Sequence, residues 1–409
     1  MRWISFRGAR INPDDPPILN TDDVLAGEHL TPLALADDDN DPVQRRRARI
    51  DAKQALITQI LEEMQCEGVV LFMPTHVAWF TGGINIRGLI SDTERPGIYT
   101  NGRQRWFVCS NIDTQRIFDE EIDRLGFQLK EWQWTGGRAA LLGELVVNKK
   151  VAADRPFPNM PLINERLRTE IRPLARYDQE RYLSLGKIVA HSVEATARMM
   201  TLGDTEQEVA GQIAHRLYRH GVDIVSASVI GDGQVRKYGR SGFGSAPILQ
   251  HCLLQVTGTR DGQYVTASRT VYFHTIPEHL KQEYDKACRL STVYRSMTIP
   301  EQSISTAMEA GKWLLVDTPH EHEWRAYQPG YGTGWVPAEE LRRMGHDEKF
   351  VRDQAVVWQV RVGGSTIIDT LLVSDPKPTT VTPTDEWPFK RITLHGQSFS
   401  VPDVLVRAE

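Results

Sequence analysis

His320-Glu321-His322-Glu323 sets two imidazoles and two carboxylates within four residues. Two histidines two apart on a strand share a face and could chelate zinc. No third ligand stands out nearby, so the run reads as an exposed charged loop ahead of Trp324. Gly239, Gly242 and Gly244 form a second chemistry-bearing stretch, a glycine-rich loop. A phosphate cradle needs a strand, the loop, then a helix opening on Lys-Ser/Thr, and none follows here. Cys109 lies between Val108 and Ser110, with no base or cation to activate it, and reads as core. Cys66, Cys252 and Cys288 are equally scattered, which predicts reduced thiols rather than a disulfide or metal framework.

The stretch that must position any pocket is Leu253 to Phe273, LLQVTGTRDGQYVTASRTVYF. Two runs rich in Val, Thr and Tyr flank Arg260-Asp261-Gly262, which predicts a β-hairpin. Around it the chain alternates. Residues 1–45 are polar and rich in Pro and Asp and read as an arm. A helix from about Val43 leads to a buried strand, Val69-Val70-Leu71-Phe72, then to a strand at Arg105–Cys109 and a helix from Thr114 to Leu125. After the Pro156–Pro161 connection comes a long helix from about Asp178 to Met200. Thr205 and Glu208 form a capping box for the next one. Helices near 279–297 and 304–311, two strands at 355–362 and 365–373 and a short tail complete the chain.

The chain has 409 residues, 40% of them hydrophobic and 25% charged, which is ordinary for a soluble globular protein and ample for two domains. A net charge of −5 without basic clusters argues against nucleic acid and anionic membranes as partners. No apolar run reaches the ~20 residues that span a bilayer. The first residues, MRWISFRGARINPDDPP, lack the apolar core of a signal peptide, so the expected location is the cytoplasm.

Ser268-Arg269-Thr270 at the hairpin's end, Gly330-Tyr331-Gly332-Thr333-Gly334, and Ile368-Asp369-Thr370 together resemble motifs of the pita-bread superfamily. That superfamily includes methionine aminopeptidase, Xaa-Pro aminopeptidase, prolidase and creatinase. Val77–Gly83 is similar to a stretch of creatinase-type N-terminal domains, and Gly203-Asp204-Thr205-Glu206 to the join before the catalytic domain's second helix. The resemblance covers about residues 45–375. It implies an α/β (α+β) fold: a creatinase-like N-terminal domain over 46–165, then over 166–409 a domain of curved antiparallel sheet covered by helices. It also implies a homodimer.

The metal-dependent relatives hold two divalent ions between two Asp, one His and two Glu, because hard cations need several anionic oxygens. Set in register, the resemblance places the Asp positions at Gln255 and Thr266, eleven residues apart, and the His position at Tyr331. A second, substrate-contacting His falls at Ala338. The Glu positions fall at Gln359 (or Val360), in Trp358-Gln359-Val360, and at Ile368. The expectation is therefore no bound metal and no cofactor, with Gln255, Thr266, Tyr331 and Gln359 lining one neutral pocket that takes a small polar molecule or short peptide.

Creatinase works without metal through a His upstream of the hairpin, and counting back from Gln255 reaches Tyr238 instead. The titratable candidates near the pocket are then His251, Tyr238, Tyr331 and Asp369. His251 shares a strand face with Leu253 and Gln255, while the resemblance implies that Asp369 faces away from the pocket and pairs with Arg269. Three functions compete: a ligand-binding homologue without the di-metal centre, a metal-independent hydrolase of a C–N bond, and an orthodox metallo-aminopeptidase. The missing ligands favour the first.

Overall fold

The computed structural model describes residues 4–6, 9–11, 41–86, 91–233, 242–340, 348–384 and 386–408. The chain divides into two units, Met1–Asn40 and Asp41–Glu409. In the first, the described residues form an antiparallel strand pair, Ile4–Phe6 with Ala9–Ile11.

The second unit begins with a helix, Pro42–Met64. Asp41 caps it by accepting from the Val43 N–H at 3.2 Å, and Pro42 occupies a first-turn position that needs no donor. Its Ile50, Ile57, Ile60 and Leu61 are buried at helical spacing. It packs beside a five-stranded mixed sheet ordered Gln128–Trp132, Arg105–Ser110, Gly97–Thr100, Gly68–Leu71, Val151–Ala153. The helix expected from Thr114 to Leu125 is shorter: one α-turn, Thr114–Ile117, runs into a π-turn, Phe118–Ile122.

The long helix Arg176–Met199 and the capped helix Glu206–Arg219 lead into the hairpin region. Here the expected capping box is present, with Thr205 and Glu208 satisfying each other's backbone N–H. The hairpin strands are His251–Arg260 and Gln263–Phe273, joined by Asp261 and Gly262 at φ 54° and 80°. Both turn residues in the left-handed region match the right-handed twist of paired strands. A Cβ on Gly262 would lie 2.2 Å from that of Ala78, so only glycine fits where the turn meets the helix Pro74–Thr81.

Two sheets carry the rest. One orders Leu405–Arg407, Gln263–Phe273, His251–Arg260, Asp223–Gly231. The other orders Glu339–Glu340, Gly330–Thr333, Ala355–Val362, Ser365–Leu372, Thr379–Thr380. Helices Glu278–Ser296 and Ile304–Trp313 cover a core of Tyr294, Phe350, Trp358, Val360 and Ile367. The C-terminal stretch is more ordered than a short tail: it holds a hairpin, Phe389–Leu394 with Gln397–Pro402, and the sheet strand Leu405–Arg407.

Candidate functional site: a polar cavity between two sheets

One backbone bridge, the Tyr264 N–H to the Gly334 carbonyl at 2.8 Å, and a row of side-chain bonds stitch the two sheets together. The Ser268 hydroxyl accepts from the Ile368 N–H at 2.8 Å. Thr370 Oγ1 accepts from the Thr266 N–H at 2.9 Å and donates to the Thr266 carbonyl at 2.8 Å. Behind this seam Arg269 donates to Glu194 at 2.7 Å and to Asp369 at 3.2 Å, and Arg295 donates to Asp369 at 2.6 Å. Arg269 and Asp369 are only 1% and 3% exposed, so each charge is satisfied inside the protein. Asp369 thus faces away from the cavity, as strand alternation from Ile368 requires.

On the other face of the seam lies a cavity of about 770 Å³. The first sheet supplies Ser226, Ser228, Gln255 and Thr257 to its wall, and the second supplies Tyr331, Gln359, Thr366 and Ile368. Ser228 and Gln255 are register partners, as are Gln359 and Ile368. Thr266 is fully buried beneath the wall. Its hydroxyl shares hydrogen bonds with Thr257 at 2.9 Å and with the Tyr331 phenol at 3.0 Å. Burial pushes the Tyr331 phenol above the usual tyrosine range, so it stays protonated at neutral pH.

The structure thus brings Gln255, Tyr331, Gln359 and Ile368 to one wall, with Thr266 just behind it. It does not bring His251 there. His251 shares the strand face of Gln255, but it opens the strand, where the register sets it against Tyr272. Its ring stacks on Tyr272 at 4.6 Å, and its Nε2 accepts from the Gly233 N–H at 3.1 Å. Tyr238 lies outside the described residues. His320–Glu323 does not form a strand: Glu321–Arg325 is a short 3₁₀ helix, and His320 Nδ1 bonds Glu323 at 2.7 Å. Side chains three apart face the same way there, not two apart. Among the described residues no group of three or more His, Cys, Asp or Glu could hold a metal ion. Burial pushes the Cys109 thiol up to about 11, in keeping with a core residue.

Sequence reasoning missed Ser226, Ser228, Thr257, Gln328, Arg325 and Arg361, all of which line the cavity. Ser226 and Ser228 alternate in a strand, a signal that could have flagged them. The end of the 3₁₀ helix at Arg325 and the segment after it to Gln328 offer no such signal, because only the fold brings them to the cavity.

No protein-family model matches this chain, and no curated protein matches it. Solved structures do. Dipeptidase PepE from Mycobacterium ulcerans superposes with a TM-score of 0.69 at 15% identity, covering 88% of this chain and 98% of that one. The prolidase from Pyrococcus horikoshii gives 0.69 at 12% identity, covering 83% and 99%. The N-terminal domain of FACT complex subunit SPT16 from Cicer arietinum (chickpea) gives 0.57 at 11% identity, covering 83% and 96%. The chain has the pita-bread fold of the prolidases and Xaa-Pro peptidases. At these identities the likeness is one of fold, and the cavity must speak for the chemistry.

Proposed function

We propose that this chain is a peptidase-like protein that works without a di-metal centre and uses the cavity to bind a small polar ligand. The observation that carries this reading is the Thr257–Thr266–Tyr331 hydroxyl chain, flanked by Gln255, Gln359 and Ile368. Amides, hydroxyls, a protonated phenol and an alkyl group do not suit a pair of divalent ions, whose charge calls for several carboxylates. They suit a ligand that exchanges hydrogen bonds in a sheltered cleft. A metal-independent hydrolase has less support. His251 is committed elsewhere, and burial pushes Tyr331, and Tyr327 (up to about 12), away from a useful base.

Elemental analysis after dialysis tests the reading. We expect well under one Mn, Co or Zn ion per chain, and peptidase turnover, if any, indifferent to chelator. One or more ions per chain, lost on Thr266→Ala, would overturn it.

A further inference from the structure

We infer that a second cavity, beside the first, holds a phosphoryl group carried on a small organic body. Its volume is about 660 Å³, which lies within the range of small-molecule sites and leaves room for more than a bare phosphate. Three elements build it. The helix Glu278–Ser296 presents His279, Glu283 and Lys286, spaced i, i+4 and i+7 along one face. The His320–Glu323 run, singled out in the sequence for its imidazoles, presents His320, His322 and Glu323. The strand Ala355–Val362 and the turn after it bring Arg361 and Gly363.

The two carboxylates of this cavity act as pins between those elements. Glu323 accepts from the Gly363 N–H at 2.8 and 3.0 Å and from His320 Nδ1 at 2.7 Å. Glu283 accepts from the Gly364 N–H at 2.9 Å. A Cβ on Gly363 would lie 2.4 Å from the Glu283 carboxylate, so only glycine admits that approach. With both acids turned to the hairpin turn, the wall presents donors: the Lys286 ammonium, the Arg361 guanidinium and the imidazoles of His279 and His322. Ammonium and imidazole are single-point donors, and here they come from separate elements. Such an arrangement suits a tetrahedral anion with three terminal oxygens. The planar edge of a carboxylate is better matched by a pair of parallel guanidinium N–H groups, and this cavity has one arginine.

Calorimetric titration of the full chain with glycerol 3-phosphate, inorganic phosphate and acetate, at one pH and ionic strength, tests this. Glycerol 3-phosphate should bind once per chain, more tightly than inorganic phosphate, and acetate should not bind. Lys286 and His322 are exposed and border only the second cavity. Lys286→Gln combined with His322→Gln should therefore weaken binding of the ester at least about tenfold, at an unchanged urea midpoint. Gln255→Ala, in the first cavity, should leave it unchanged. No saturable binding of the ester, equal affinity in the double variant, or a matching loss in Gln255→Ala would each overturn the inference. Inorganic phosphate binding as tightly as the ester would overturn the organic body, and acetate binding as tightly would overturn the phosphoryl group.

Discussion

Tyr331 shows how one side chain can close a site and still serve a pocket. Its phenol fills the space beside Thr266 and bonds it, while its ring borders the cavity. Tyr331→Phe keeps the ring and removes the bond; Thr257 still satisfies the Thr266 hydroxyl. We expect a loss of about 1 kcal/mol in unfolding free energy, read from the urea midpoint at unchanged slope. A loss above about 3 kcal/mol would mean that the phenol holds more of the seam than one bond. At this scale the sequence was legible in an uneven way. Ser268, Arg269, Asp369 and Thr370, which make the motifs recognisable, are the residues that join the two sheets and satisfy buried charge. They report ancestry of fold because they build it. The positions that the resemblance sets against metal ligands hold Gln, Thr, Tyr and Ile, types that occur in any sheet.

Elements were legible where the signal is local. The Asp261-Gly262 turn requires left-handed backbone at both residues, and the Thr205–Glu208 box is written within four positions. The C-terminal hairpin was missed because its strands carry a weak apolar signal: every residue of Phe389–Leu394 is at least partly exposed, and in the partner strand only Phe399, Val401 and Pro402 are buried. The direction of His251 was misjudged because alternation fixes a face and not where along that face the cavity ends. The buried cluster of Glu194, Arg269, Arg295 and Asp369 ties together the helices Arg176–Met199 and Glu278–Ser296, the hairpin and a strand of the second sheet. Its charges balance, so removing Asp369 leaves two buried guanidiniums short of a partner. Asp369→Ala should cost about 3–5 kcal/mol, measured by chemical denaturation. A cost below about 1 kcal/mol would show that water or rearrangement compensates the arginines.

Across the whole second unit, the helix Pro42–Met64 is anchored to the later part of the chain by charge. Arg45 pairs with Glu180 at 2.7 Å and Arg49 with Asp178 at 3.1 Å. Lys53 lies fully buried between the Trp79 and Trp335 rings, donates to the Trp79 carbonyl and sits 3.9 Å from Asp178. Burial lowers its pKa to about 7 from 10.5, against the opposing pull of Asp178. The unfolded chain therefore binds more protons between those values. The Lys53 contribution is most unfavourable below about pH 7 and is relieved as pH rises towards 10.5. Relative to Lys53→Met, the wild type should gain stability from pH 7 to 9.5, by at most about 1.4 kcal/mol per pH unit. Parallel urea curves at both pH values, with a constant difference between the proteins, would rule this out. The strand Leu405–Arg407 carries a different consequence. It runs parallel to Val271–Phe273 and occupies the outer rim of the hairpin's sheet. Bare backbone along an apolar Val-Tyr-Phe segment is a template on which other chains can polymerise. Three residues near the end of the sequence thus act as a sacrificial cover, and what they guard is the colloidal fate of the protein rather than its cavity.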